Sequence, residues 1–101
     1  MSRYTILTKR ILSEATNLNT DYIKALHLSV KTFPGFIKGT SYWKGTESIV
    51  TISHWKSHHD WNKWLTSEER LHVSMHYNHM IREEHHEELY EIVKCNNTFL
   101  L

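Results

Sequence analysis

The sequence is poor in cysteine, proline and glycine, with one, one and three of them among 101 residues. Its single thiol, Cys95, has no partner for an internal disulfide or for a cysteine-based metal or redox site, so we assign it no function. Long apolar runs are also lacking, because stretches such as Ile49 to Ile52 have the length of a strand and not of a membrane span. These absences argue against a disulfide framework and a membrane protein.

Charge of one sign is also not in excess. The chain carries 12 Lys and Arg and 11 Asp and Glu, a formal net charge of +1, and its basic residues are scattered. A nucleic-acid partner is therefore not expected. The first residues, Met-Ser-Arg-Tyr, lack the basic region and apolar stretch of a secretory leader. We predict a soluble cytoplasmic protein of one domain, long enough to fold around one core without disulfide or metal staples.

Tryptophan, in contrast, is concentrated in one short stretch. Three of the four tryptophans, Trp55, Trp61 and Trp64, lie in the segment SHWKSHHDWNKWLTSEER, residues 53–70. A tryptophan usually closes a core or lines a pocket with its apolar body and its N–H group. We therefore expect this segment to border a functional site.

The order of the predicted elements indicates the fold. Alternating β-formers predict strands, and Ile23, Leu26, Val30 and Phe33 at helical spacing predict a helix that ends at Pro34-Gly35. We predict a strand over 4–11, a helix from caps at 19–21, strands over 36–43 and 48–55, a short helix from Ser57 to Trp64, a longer helix from 67 to about 81, and a strand over 87–94. This β-α-β-β-α-β order is that of an α+β ferredoxin-like sandwich.

Such a sheet has helices on one face, so its other face must be covered. The candidates for that face are large side chains at a period of two: Tyr42 and Trp43, Ile49 or Val50, and Leu89 or Tyr90. Two copies meeting sheet to sheet would bury them, and we therefore expect a homodimer. Adjacent residues point to opposite faces, so only one of His54 and Trp55 can look toward the helices, and the sequence leaves open which one.

Three motifs in order resemble the antibiotic biosynthesis monooxygenase domain. They are Pro34-Gly35-Phe36 entering a strand, Ile52-Ser53-His54-Trp55 ending one, and Trp64-Leu65-Thr66-Ser67-Glu68 on a helix, and together they extend the resemblance over nearly the whole chain. The resemblance implies a dimeric α+β barrel with a cavity between sheet and helices in each subunit. Members oxygenate aromatic or quinol compounds without a cofactor, or degrade haem, and many have no known activity.

The same resemblance implies two site residues. Members that form quinones place a helix tryptophan and, one turn earlier, an amide against the substrate, and these positions fall on Trp64 and Asp60. A carboxylate at Asp60 could accept a phenolic proton if burial raised its pKa. The structural alternatives are a core tryptophan and a solvated aspartate in the first turn of a helix.

Nine histidines form the second unusual feature. His72, His76 and His79 are spaced i, i+4 and i+7 on one side of a helix, a spacing that can chelate a metal, with further candidate ligands just beyond, namely Glu83, Glu84, His85 and His86. No H-E-x-x-H motif accompanies them, and a solvated helix face explains the pattern equally well. We predict no metal, and name His76 and His72 as candidate catalytic bases, each alternatively a histidine at the rim of the core.

The haem-degrading branch fits the sequence less well. Its iron-ligand position falls on Ser74, and its first-strand asparagine falls within Thr8-Lys9-Arg10, which holds none; only a slipped register would place His72 or His76 on an iron. The resemblance thus implies a cofactor-independent monooxygenase of a small aromatic or quinol-like compound, whereas the residues alone indicate a dimeric α+β domain with an aromatic-rich pocket. Haem degradation and a binding module without catalysis are the alternatives, and a titratable group in the cavity beside Trp64 would favour an oxygenase.

Overall fold

A computed structural model describes residues 4–13 and 17–89, with the backbone alone described for residues 17–19. Its elements are β1 (Tyr4–Leu12), α1 (Asn17–Val30), β2 (Phe36–Lys44), β3 (Ser48–Trp55), α2 (His58–Leu65), α3 (Glu68–Tyr77), a 3-10 turn (Asn78–Met80) and β4 (Ile81–Leu89). None of the helices found among these residues is long and apolar enough to cross a membrane.

The four strands form one antiparallel sheet in the order β2-β3-β1-β4. The two hairpin strands β2 and β3 are neighbours, whereas β1 lies in the centre between β3 and β4. This is the strand order of the split β-α-β arrangement, and it confirms the α+β ferredoxin-like fold predicted from the sequence.

The predicted start of the last strand is wrong. β4 begins at Ile81 instead of Glu87, and the helix before it ends at Tyr77 instead of about Ile81. Residues 90–94 of the predicted strand lie outside the described residues. The strand IREEHHEEL carries few β-formers, which concealed it. Its polar residues are tolerated because Glu84 and His86 find partners on β1, across the sheet. Tyr90 and Cys95 lie outside the described residues.

Two serines start the helices that flank the tryptophans, as the sequence predicted. Ser57 accepts a hydrogen bond from the backbone N–H of Asp60 at 3.1 Å, and Ser67 accepts one from that of Arg70 at 3.1 Å. Each bond satisfies a donor that the first turn of a helix leaves without a partner. The caps thereby fix where α2 and α3 begin, and with them the position of the tryptophans.

Aromatic packing forms the core between the sheet and the helices. Trp55 has no solvent exposure. Its ring packs edge-on against Phe36 and Trp61, at centroid distances of 5.3 and 5.6 Å, and lies nearly parallel to Trp64 at 6.4 Å. Such pairs add to the free energy gained from burial alone.

The register decides which residues occupy each face, because residues paired across neighbouring strands point to the same side. Trp55, Ile49 and Trp43 lie on the side of the helices, since Ile49 pairs with both Trp43 and Arg10. The opposite, open face carries His54, Tyr42, Val50 and Leu89, together with Leu7, Ile11 and Ile52. Of the two candidates on β2, Tyr42 therefore lies on the open face, and Trp43, which follows it directly, points the other way.

The packing of Trp55 leads to a stability prediction. Trp55→Ala should lower the free energy of unfolding by about 3–5 kcal/mol in urea denaturation, because it empties the centre of the aromatic core. The matched control is Trp43→Ala, whose ring is 45 % exposed and whose loss should cost under about 1 kcal/mol. Equal losses for the two variants would contradict the placement of Trp55.

Candidate functional site

A cavity of about 450 Å³ lies between the helix-covered face of the sheet and helices α1 to α3. Its size is within the range of pockets that enclose small organic molecules. One wall is aromatic, formed by Phe36, Trp55, Trp61 and Trp64. The floor is polar and comes from neighbouring strands of the sheet. The cavity thus combines a flat apolar wall with a few hydrogen-bonding groups.

Trp64 forms part of the aromatic wall of the cavity. It is 5 % exposed, lines the cavity and packs edge-on against Phe33 at a centroid distance of 5.2 Å. The alternatives of core residue and pocket residue are therefore both realised, since the same ring closes the core and forms the wall.

The polar floor follows from the alternation of three strands. Thr8 and Arg10 on β1, Ser41 on β2, and Thr51 and Ser53 on β3 all point toward the helices. Arg10 Nη1 donates to Thr51 Oγ1 at 3.2 Å, and the hydroxyls of Thr51 and Ser41 are 2.6 Å apart. Trp55 Nε1 donates to Ser53 Oγ at 3.0 Å, which fixes the central ring against the floor.

A charge cluster lies beside this floor. Glu84 accepts from Arg10 Nε at 2.7 Å with one carboxylate oxygen and from Arg70 Nη2 at 2.6 Å with the other. The side chains of Arg10 and Arg70 are 7 % and 15 % exposed, and both line the cavity. One carboxylate therefore ties β1, β4 and α3 together at the edge of the cavity.

The environment of Glu84 keeps it ionised. Burial alone would raise the pKa of its carboxyl group, but the hydrogen bond from His86 and the charges of Arg10 and Arg70 outweigh burial and hold the pKa far below its usual range. Glu84 is therefore an acceptor and a poor base at neutral pH.

His86 connects this carboxylate to the cavity. Its Nε2 lies 3.4 Å from Glu84 Oε1, and its Nδ1 lies 2.8 Å from Thr8 Oγ1. An ionised carboxylate can only accept, so in neutral His86 the proton belongs on Nε2 and Nδ1 accepts the Thr8 hydroxyl hydrogen. Thr8, His86 and Glu84 thus form a continuous series of polar contacts that begins at the cavity.

The structure does not bring the other sequence candidates into the cavity. His72 and His76 lie on α3 and His79 follows it, all three exposed and none among the lining residues. Within residues 4–13 and 17–89, no group of three or more His, Cys, Asp or Glu is arranged to hold a metal ion. The His-rich side of α3 is a solvated face in this structure.

Asp60 stabilises the first turn of α2 through hydrogen bonds with Ser57. Its carboxylate accepts a hydrogen bond from the Ser57 hydroxyl at 2.9 Å while its backbone N–H donates to the same hydroxyl oxygen. The side chain also packs onto the backbone of Gly35, where a Cβ would lie 2.2 Å from Asp60 Cγ and where φ is +90°. Only glycine fits this close approach. Asp60 is outside the cavity lining.

Sequence reasoning missed most of the polar floor. Arg10 and Thr8 share a face of β1 with Ile6 and Leu12, all buried, so polar residues at a period of two among buried apolar ones were the available signal. His27, on α1, is the histidine that lines the cavity within the described part of the chain. Nothing in its local sequence distinguished it from the other histidines.

No protein-family model matches the sequence, and no curated protein matches it either. Solved structures do resemble it. SnoaB of Streptomyces nogalater, a cofactor-independent oxygenase, has a TM-score of 0.83 at 14 % identity, covering 96 % of this chain and 100 % of SnoaB. A candidate antibiotic biosynthesis monooxygenase of Chloroflexus aurantiacus has a TM-score of 0.73 at 14 % identity over 94 % and 98 % of the two chains.

The likeness extends to proteins without an assigned activity. A Nitrosomonas europaea protein of unknown function has a TM-score of 0.78 at 6 % identity, covering 98 % of each chain. The chain therefore has an antibiotic biosynthesis monooxygenase-like fold, as the three sequence motifs indicated. At these identities the likeness establishes the fold and leaves the activity to be argued from the site.

The low pKa of Glu84 leads to a pH prediction. Its ionised form contributes stability at pH values above the usual carboxyl pKa of 4.5, and that contribution is lost progressively as the pH falls below 4.5 toward the lower pKa of the folded state. Glu84→Gln should lower the free energy of unfolding at pH 7 by roughly 3 kcal/mol, because it leaves two buried arginines without a counter-ion. Between about pH 5 and pH 3, its stability should fall less steeply than that of the wild type.

Denaturant unfolding at a series of pH values checks this, with Glu83→Gln as the control. Glu83 is exposed and precedes Glu84 on the opposite face of β4, so its substitution should change stability by under about 0.5 kcal/mol. The same acid dependence in Glu84→Gln and wild type would contradict the assignment.

Proposed function

We propose that the protein is a cofactor-independent monooxygenase that oxygenates a small aromatic or quinol-type compound in this cavity. The observation that carries the proposal is the series of polar contacts that runs from Thr8, which lines the tryptophan-walled cavity, to His86 and on to Glu84. The fold shared with SnoaB, itself a cofactor-independent oxygenase, supports the same reaction class.

The chemistry requires a base and oxygen but no added reductant. Consider a hydroxylated ring system whose keto tautomer has a CH₂ group. Removal of a proton gives a carbanion, which passes one electron to O₂; the resulting pair combines to a peroxide, which takes up a proton. Loss of water then converts CH–OOH into C=O. One oxygen atom remains in the product, the other leaves as water, and the substrate supplies all four electrons.

In this proposal His86 accepts the proton through Thr8. The Thr8 hydroxyl takes a proton from the substrate as it gives its own to His86 Nδ1, 2.8 Å away. The imidazolium that forms is stabilised by Glu84 at 3.4 Å. Histidine is the side chain that most often serves as a general base in enzymes.

Trp64 and its neighbours hold the ring and exclude water from the carbanion. Flat indole faces favour a planar aromatic ligand over an aliphatic one. The sequence candidates His76, His72 and Asp60 remain hypotheses for catalysis, and they would act on this cavity only through a rearrangement of α2 or α3. Thr8 and His86 can act on the cavity without such a rearrangement, because Thr8 lines it and contacts His86.

The two alternatives have less support from the site. Haem degradation would need an iron ligand, and the residues that the sequence offered for it, His72 and His76, lie outside the cavity lining, where His27 is the histidine present among the described residues. A binding module without catalysis would suit an apolar lining, whereas this cavity contains buried Arg10 and Thr8. The polar floor thus favours the oxygenase.

We further propose that the protein works as a cytoplasmic homodimer. The open face of the sheet presents apolar side chains on all four strands: Leu7, Ile11, Tyr42, Ile52 and Leu89. Tyr42 is 48 % exposed in the single chain. Packing two such faces together would remove this surface from water by a symmetric contact.

An oxygen-uptake assay tests the oxygenase. Purified protein is given anthrones and dihydroquinones, and oxygen consumption and quinone absorbance are followed together. We expect turnover without added metal or flavin, and a fall of about 10²-fold or more in kcat for His86→Ala and Thr8→Val, because general base catalysis contributes that much. Trp64→Phe should reduce turnover less.

The matched control is His59→Ala, an exposed histidine of α2 outside the cavity lining, which should leave turnover unchanged. Full activity of His86→Ala, or loss of activity in His76→Ala instead, would contradict the proposed base. Absence of oxygen uptake with every compound, together with a Soret shift on adding haemin, would favour the haem alternative.

Sedimentation equilibrium tests the homodimer. Ile52→Glu places a charge at the centre of the open face and should convert a dimer into a folded monomer, because a buried unpaired carboxylate is costly. Thr46→Glu, in the exposed turn between β2 and β3, is the control and should remain a dimer. A monomeric wild type would refute the dimer and leave the oxygenase proposal untouched.

A further inference from the structure

Arg10 has more hydrogen-bonding capacity than its protein partners use. Its Nε donates to Glu84 and its Nη1 to Thr51, while no described residue accepts a hydrogen bond from Nη2. A buried guanidinium N–H group that has no hydrogen-bond acceptor costs desolvation free energy. The side chain is 7 % exposed and lines the cavity, so these donors face the space that a ligand would fill.

We propose that the cavity selects aromatic compounds that carry an anionic oxygen group, a carboxylate or an ionised phenol, and that Arg10 binds this group. The inference rests on the proposed function in one respect, since it names the substrate class of the same cavity. It stands on the geometry of Arg10, and binding can be measured without turnover.

The balance of charge at the floor favours an anion. Arg10 and Arg70 both line the cavity, and Glu84 is the carboxylate that pairs with both. This cluster of three therefore carries one excess positive charge beside a largely apolar wall, and Lys24 lines the cavity as well. An anionic ligand would neutralise it, and in a poorly solvated cavity that interaction is stronger than in water.

Two hydroxyl groups lie beside Arg10 on the cavity floor, where the anionic group would bind. Thr51 Oγ1 accepts from Arg10, and Ser41 Oγ lies 2.6 Å from it, so the two hydroxyls share one hydrogen bond and retain a further hydrogen for a ligand. A carboxylate between Arg10 and these hydroxyls would accept from both kinds of donor. A neutral amide could not gain the charge-assisted part of these bonds.

The aromatic part of the ligand is set by the opposite wall. Trp55 and Trp64 are stacked within 28° of parallel, and Trp61 meets Trp55 edge-on. Such a wall accepts a planar ring system, and the cavity of about 450 Å³ has room for about two to three fused rings. The ligand class is thus an aromatic acid or a phenol that is ionised when bound.

A purely structural role for Arg10, as counter-ion to Glu84, predicts something different. In that case its substitution would change stability but not the ratio of affinities for a charged and a neutral ligand of the same shape. That ratio is therefore the quantity to measure.

Isothermal titration calorimetry at neutral pH, without turnover, provides the test. The carboxylate pair is 2-naphthoate and 2-naphthamide; the phenolate pair is 2,4-dinitro-1-naphtholate and its methyl ether. Wild type should bind the anion of at least one pair about tenfold or more tightly than its neutral partner, as charge-assisted hydrogen bonds imply. The pair that shows the preference identifies the anionic group.

Arg10→Gln should remove the preference while changing the Kd of the neutral ligand by less than about threefold. Arg82→Gln is the matched control, with the same charge change on an exposed residue of β4 outside the cavity, and it should keep the preference. If Arg10→Gln does not fold, Arg10→Lys retains the charge beside Glu84 but loses the planar donors, and its preference should fall at least about threefold.

Two results would overturn the inference: a wild type that binds anion and neutral partner equally or binds neither, or a folded Arg10 variant with the wild-type preference. The proposed oxygenase function and the proposed anion selectivity can be refuted independently of each other. Anion selectivity with no oxygen uptake would leave the inference standing without the oxygenase, whereas turnover of neutral quinols with no anion preference would do the reverse.

Discussion

The ion pairs of Glu84 with Arg10 and Arg70 are the interaction on which the site depends. They join the central strand, the edge strand and a helix through one carboxylate, at distances of 2.7 and 2.6 Å. The same carboxylate orients His86, and the same arginine reaches Thr51. Displacing Glu84 would therefore disturb the charge of the cavity floor, its hydroxyl groups and the proton path together.

Stability alone gives no strong reason for this arrangement. Burying three charged groups costs solvation that well-packed apolar residues of the same volume would not lose. The neighbouring part of the core shows that the chain can pack apolar groups densely, since Trp55 and Ile6 are almost fully buried. Two cations around one anion are therefore consistent with the proposed binding of an anionic ligand at the floor, for which apolar packing would not serve.

The sequence predicted the elements whose signals are local. Alternation in β1 and the hairpin strands, the caps Ser57 and Ser67, and the clustering of tryptophans each depend on residues within one or two turns or strands. The polar floor depends on contacts between distant segments: Arg10 and Glu84 are 74 positions apart. A strand as charged as IREEHHEEL is recognisable only once its partners on β1 are known. The sequence therefore offered Glu84 and His86 only as metal-ligand candidates beyond a helix, and not as partners of Arg10 and Thr8.

The two functional features of the floor lie on one strand at a separation set by strand geometry. Thr8 and Arg10 point the same way and are two residues apart, so their backbone positions are separated by about 7 Å. Thr8 leads to the base, and Arg10 carries the unused donors. A fused-ring compound with a hydroxyl on one ring and an anionic group on the next spans that distance while its rings lie against the tryptophans. One planar ligand could therefore meet both groups at once, with its anion held at Arg10 while its proton is taken at Thr8.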